Sequence, residues 1–141
     1  GNEFIFFSNY NSPKSIAIDS HNNISALFYW SSINVQIRMK AKIKKTSQDF
    51  NSEYFKKRSL DKNALAISSN QSLAIDSYNN VISKYNKVKE NQNLLECPSY
   101  WGGFSFIPYY FEFWEGHEFR LNKRDSYQII NEEWHHSVLE P

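Results

Sequence analysis

A chain of 141 residues is the size of one domain and can bury roughly two-thirds of the surface its unfolded form exposes. Sixteen basic against fifteen acidic residues leave a net charge of +1, so no bulk field recruits nucleic acid or a membrane surface. The single cysteine, Cys97, excludes an internal disulfide and suits a reducing compartment. No apolar run approaches the ~18 residues of a membrane span and nothing like a signal peptide precedes the first strand, so the cytoplasm is the expected location.

The chain opens with Phe4-Ile5-Phe6-Phe7-Ser8-Asn9, a short apolar run ended by turn formers, which reads as a buried strand. Ser12 is placed to cap, and Pro13 to begin, a short helix reaching about Asp19. After a turn at His21-Asn22-Asn23, Ile24 to Trp30 forms a second strand. Val35 to Lys45 alternates most cleanly. Val35, Ile37, Met39, Ala41 and Ile43 face one way, and Gln36, Arg38, Lys40, Lys42 and Lys44 the other. That basic face lacks interleaved aromatics and reads as a solvated surface rather than a nucleic-acid stripe. Gln36 and Arg38, near one end of it, are within plausible reach of a ligand.

Thr46-Ser47-Gln48-Asp49 resembles a capping box opening a helix of about ten residues. Phe50, Tyr54 and Arg58 recur there at helical spacing, so a phenol and a guanidinium share a face suited to gripping phosphate. Asp61 is expected to cap a second helix through Ile67, and Asp76 a third to about Asn91. Ser68 to Ser72 is a polar loop between them. Tyr78, Val81, Ile82, Tyr85 and Val88 form a packing stripe on the third helix.

Cys97 to Arg124 is the organising stretch, with two of the four tryptophans, five phenylalanines and three of the four glycines. Aromatics at this density, broken by Gly and Pro, predict strands at about 101–107, 109–115, 124–130 and 133–139, with Asn131-Glu132 as the last hairpin turn. Gly102-Gly103 allows a close backbone approach. Trp114 followed by Arg120 and Arg124 offers a wall and clamp for a flat anion; an aromatic core with a solvated basic turn explains the same residues. His135 and His136 are adjacent on a strand and face opposite ways, so no metal site is expected. No internal repeat or Gly/Ser linker appears, and residues 1–141 read as a single domain.

The spacing WGGF (101–104), EFW-x-G (112–116) and RLxxR (120–124) resembles the C-terminal signature of the pyridoxamine 5′-phosphate oxidase family. FIFFSNYNSPK (4–14), ALFYW (26–30), NVQI (34–37), EYFKKR (53–58), SNQS (69–72) and the terminal LEP fall in that family's order. The likeness covers essentially the whole chain, which corresponds to the C-terminal two-thirds or so of the family's length. The resemblance implies a mainly β fold with flanking helices (α+β), the FMN-binding split β-barrel, assembled as a homodimer. The implied activity is FMN-dependent oxidation of pyridoxamine or pyridoxine 5′-phosphate to pyridoxal 5′-phosphate, with oxygen as acceptor. The alternative is a split-barrel protein that binds flavin or pyridoxal phosphate without turnover.

Residue by residue, the resemblance puts Phe7, Ser8, Lys14, Gln36, Gln71 and Ser72 at FMN, with Trp114 and Arg124 reaching the flavin from the partner chain. It puts Tyr54, Arg58 and Lys62 at the substrate phosphate, Lys62 standing where the family has serine. Arg120 and Asn122 take the catalytic, substrate-binding positions, Asn122 replacing a histidine. If their segment is extended, both would face the same way. Pro13 replaces an arginine of the family's FMN loop, removing one guanidinium from the phosphate.

Overall fold

The computed structural model describes residues 3–141. In chain order the elements are β1 (Phe4–Asn9), α1 (Pro13–Ser20), β2 (Asn23–Trp30), a 3-10 turn (Ser31–Ile33), β3 (Val35–Lys45), α2 (Gln48–Lys57), α3 (Leu60–Ser68), α4 (Tyr78–Asn91), β4 (Trp101–Glu115), β5 (Lys123–Ile130) and β6 (Glu133–Val138). The strands form one sheet of order β2-β3-β4-β5-β6, with β1 also pairing β4. The fold is α+β, mainly β with flanking helices. Among the described residues no helix is long and apolar enough to cross a membrane.

Contacts divide the chain into two compact units. The strand unit comprises the residues up to Phe4, Asn22–Ile43 and Phe106–Pro141, and the helical unit comprises Ile5–His21 and Lys44–Ser105.

In the strand unit β2 and β3 are antiparallel, from Trp30 opposite Val35 to Asn23 opposite Lys42. Their connection needs a left-handed residue, supplied by Asn34 at φ 52°. The expected alternation holds along β3, where Met39, Ala41 and Ile43 are buried while Lys40 and Lys42 are exposed. β5 and β6 form the expected hairpin, and Asn131 and Glu132 both take positive φ (49° and 69°), as a two-residue turn matching strand twist requires.

Residues 101–107 and 109–115 do not form two strands. Trp101 to Glu115 is one continuous strand of 15 residues. Pro108, which cannot donate, was the expected break, but the β4–β5 register begins only at Tyr110, so that ladder asks no N–H of it.

In the helical unit, Ser12 and Ser47 cap α1 and α2, accepting from the backbone N–H of Ser15 and Phe50. Three caps fall elsewhere than expected: the box read over residues 46–49 starts with Thr46, but the cap of α2 is Ser47. Ser77, not Asp76, caps α4 by accepting from Asn80. Asp61 lies inside the first turn of α3, where Tyr85 and Lys89 of α4 engage its carboxylate at 2.9 and 2.7 Å. Those bonds hold its carboxyl below the usual range, the hydrogen bond from Lys89 first. The apolar stripe of α4 is only partly covered: Val88 is buried, whereas Tyr78 is 76% exposed. The core of this unit is Phe55, Ala64, Trp101 and Phe104. Gly102 and Gly103 allow the close approach expected of them. A Cβ at Gly102 would run into Tyr10 and Asn51, and one at Gly103 into Thr46.

Candidate functional site

The candidate residues fall into two groups, one in each unit. In the helical unit the end of β1 leads directly into the turn before α1, and a chain of small polar groups holds that turn. The Ser15 hydroxyl donates to the Asn9 carbonyl (2.7 Å), Ser12 and Ser15 share a hydrogen bond (3.0 Å), and Asn9 Nδ2 donates to the Ser69 carbonyl (3.2 Å). Ser8, Asn9, Ser12 and Ser15 are all buried, and no described buried side-chain polar atom lacks a partner. Ser8 is thereby fixed. Lys14 Nζ donates to its hydroxyl at 3.0 Å, and that hydroxyl donates to Gln71 Oε1 at 3.0 Å, which also accepts the Asn9 N–H at 2.9 Å. Ser8 and Lys14, six residues apart, and the distant Gln71 thus form one linked group.

A cavity of about 270 Å³ opens on this group, lined by Phe7, Ser8, Arg58, Lys62, Gln71 and Trp101 among others. Phe7 stacks between Tyr54 (ring centroids 3.8 Å apart) and Trp101 (5.0 Å). α2 ends at Lys57, and Arg58 is its C-cap residue, one turn beyond Tyr54. Its guanidinium lies 4.5 Å from the Trp101 ring centroid, and Nη1 donates to Asn63 Oδ1 at 3.4 Å. Burial makes its charged form less favourable than in water. No carboxylate pairs with Arg58 or Lys62 among the described residues. Tyr54 backs the Phe7 wall without lining the cavity, and Ser72, at φ 68°, lines a different pocket with Lys84.

In the strand unit Gln36, Trp114 and Arg124 converge, and the residue that joins them escaped the sequence reading. Glu112, 5% exposed, accepts from Arg124 Nε at 2.8 Å, Arg38 Nη1 at 3.2 Å and the Tyr110 hydroxyl at 3.2 Å. Arg38 also donates to Gln36 Oε1 (3.1 Å) and lies 5.8 Å from the Trp114 ring centroid. These donors, Arg124 foremost, hold the Glu112 carboxyl below its usual range. A carboxylate among aromatics on a strand was the available signal, but its partners depend on strand register.

Arg120 and Asn122 lie in the exposed connection between β4 and β5. That connection is not extended at Arg120, whose φ is 65°, so strand alternation does not bring the two side chains to one side. Asn122 Oδ1 instead accepts the His117 backbone N–H at 3.1 Å, bracing the loop that carries Arg120.

The sequence pattern of the family described as the pyridoxine 5′-phosphate oxidase C-terminal dimerisation region matches residues 101–141. The pyridoxine/pyridoxamine 5′-phosphate oxidase of Coxiella burnetii is 36% identical over 132 residues, covering 93% of this chain and 67% of that protein. The chain belongs to the pyridoxine/pyridoxamine 5′-phosphate oxidase family. A second member of that family, from Actinobacillus pleuropneumoniae serotype 5b, is 31% identical across 99% of this chain and 68% of its own length. Among solved structures, PhzG of Burkholderia lata 383, determined with tetrahydrophenazine-1-carboxylic acid, superposes with a TM-score of 0.85 at 23% identity, over 97% of this chain and 68% of that one. A pyridoxamine 5′-phosphate oxidase-related, FMN-binding protein of Nostoc punctiforme PCC 73102 gives 0.74 at 14%, over 99% and 73%. The fold is therefore the family's split β-barrel. The chain spans about two-thirds of the length of the relatives it matches.

Proposed function

We infer that the protein is an FMN-dependent oxidase that converts pyridoxamine or pyridoxine 5′-phosphate to pyridoxal 5′-phosphate, with oxygen as acceptor. The observation that carries this reading is the cavity of the helical unit. It combines an aromatic wall (Phe7, Trp101), hydrogen-bonding groups (Ser8, Gln71) and two cations without carboxylate partners among the described residues (Arg58, Lys62). That donor set fits a flat ring carrying a phosphate. Its volume lies just under the range of about 300–1,000 Å³ for small-molecule pockets, the scale of a single-ring phosphate.

In the helical unit Ser8, Lys14 and Gln71 would hold FMN; in the strand unit Gln36, Trp114 and Arg124 would serve a flavin, the last two that of the partner chain. Bound FMN supplies the two-electron acceptor that no side chain provides. The chain's own work is to bind and orient. Arg58 offers a two-pronged contact to the substrate phosphate, Lys62 adds a point charge, and Tyr54 holds the Phe7 wall. Arg120 would place a permanent charge beside the substrate without ionising itself.

A homodimer accompanies this reading. The match to a dimerisation region covers a strand-unit surface where Phe113, Ile129 and Trp134, each 36% exposed or more, line an apolar hollow of about 700 Å³ with Ile107 and Phe111. A surface of that kind calls for a partner, and a second copy of this chain is the one the match supports.

Two observations favour a second reading, a split-barrel protein that binds flavin or pyridoxal phosphate without turnover. Pro13 brings no charge to the phosphate loop, and the Asn122 amide oxygen is engaged with the His117 backbone. One experiment separates them. The chromophore of the purified protein is released and chromatographed, and pyridoxal phosphate formation is followed under air. FMN release with steady formation of product supports the oxidase; FMN without product supports the binder; FAD overturns the cofactor.

A further inference from the structure

We propose that Glu112 is a positioning residue for the flavin contacts this chain makes from its strand unit, holding Arg124, and through Arg38 also Gln36 and Trp114, in their binding geometry. This rests on the reading above that Gln36, Trp114 and Arg124 serve FMN.

The placement follows from the sheet. Tyr110, Glu112 and Trp114 alternate onto one face of β4, and Arg124 of β5 stands opposite Trp114 in register. From that face Glu112 reaches both guanidiniums, and it is the carboxylate paired with either of them among the described residues. Its near-complete burial is tolerable because three donors satisfy it. Arg124 is held from two sides, since Nη1 also donates to the Glu140 carbonyl at 2.8 Å. Arg38 spends Nη1 on Glu112 while Nε and Nη2 turn to Gln36 Oε1, at 3.3 and 3.1 Å. Removing the carboxylate would leave two like charges drawn to one face with nothing between them. Arg124 would keep only its bond to the Glu140 carbonyl, Arg38 would turn away, and the Gln36 amide would lose the partner that orients it. Glu112 thus acts through its neighbours.

The test is a cycle of four proteins: wild type, Glu112→Gln, Arg124→Ala and the double variant. FMN dissociation constants come from flavin fluorescence, and melting temperatures are taken in parallel. Glutamine keeps the size and an acceptor but drops the charge, so Glu112→Gln should weaken FMN by about tenfold in the wild-type background. In the Arg124→Ala background it should cost less than about threefold, because much of what it positions is gone. Glu112→Asp, which retains the charge, should recover part of the loss, and it carries the same cycle should the glutamine variant fail to fold. The arginine side-chain Nε–H resonances give a readout that needs no flavin: those of Arg124 and Arg38 should exchange slowly with solvent in the wild type and fast in Glu112→Gln. An equal loss in both backgrounds, or unchanged exchange, overturns the proposal. If Arg124→Ala and Trp114→Ala leave FMN affinity untouched, the assignment of those residues to the flavin fails instead, a separate outcome.

Discussion

The two candidate clusters hold cations in opposite ways. Around the cavity of the helical unit the scaffold is neutral: serines and asparagines bond to backbone and to one another, and Arg58 and Lys62 face the cavity with no carboxylate beside them among the described residues. In the strand unit both arginines of the cluster are paired with one buried carboxylate. A cation left unpaired keeps its attraction for an incoming anion. One already paired gives up much of that attraction and gains a fixed direction. The first arrangement suits capture of a phosphate, the second suits orientation of a group that needs shape more than charge.

The largest effect that would sharpen this contrast lies outside both clusters, at Arg120. Arg120→Ala should lower turnover on the order of a hundredfold with FMN still bound, the size of losing one positioned donor. Steady-state pyridoxal phosphate formation with flavin occupancy measures it, and full turnover in the variant would remove Arg120 from the site.

Arg58 tests the capture side. Arg58→Ala should raise KM for a phosphorylated substrate by roughly tenfold or more, from loss of a charged contact of about 1.5–3 kcal/mol. It should leave the weak reaction of the unphosphorylated amine nearly unchanged. Equal losses for both substrates would mean that Arg58 supports the Trp101 wall and does not read phosphate.

Gly102 tests whether the neutral scaffold has slack. Alanine there meets Tyr10 and Asn51, so Gly102→Ala should destabilise by about 1–3 kcal/mol in urea unfolding. No change would show that Asn51 can move without cost.

Acid tests the orientation side. The Glu112 carboxyl is depressed in the folded state, chiefly by Arg124, so its stabilisation is complete above its unfolded value of about 4.3 and is lost as pH falls through the lower folded value. The stability gap between wild type and Glu112→Gln should therefore be flat above about pH 5.5 and shrink below pH 4. A gap that widens in acid would contradict the pairing. The smallest effect is expected at Asn122. Asn122→His should change activity modestly and add a titration near pH 6–7, read from the pH profile of turnover.

Much of this protein was legible before any coordinate. The alternation of β3, the Asn131-Glu132 turn and the Ser12 cap of α1 rest on short-range sterics and hydrogen bonding, which a window of a few residues contains. The collinear motifs carried the family, and of the residues the resemblance marked in the helical unit Phe7, Ser8, Arg58, Lys62 and Gln71 line one cavity, whereas Lys14, Tyr54 and Ser72 do not. The sequence was silent wherever the outcome depended on a distant partner. Gly102-Gly103 reads as a close approach, but only the fold shows that Asn51 and Thr46 are what approaches. Glu112 is the sharpest case: its partner Arg38 lies 74 residues away, and only the register of β3, β4 and β5 brings the two guanidiniums to one carboxylate. Periodicity tells which face a side chain takes, but the strands packed beside it decide what waits there.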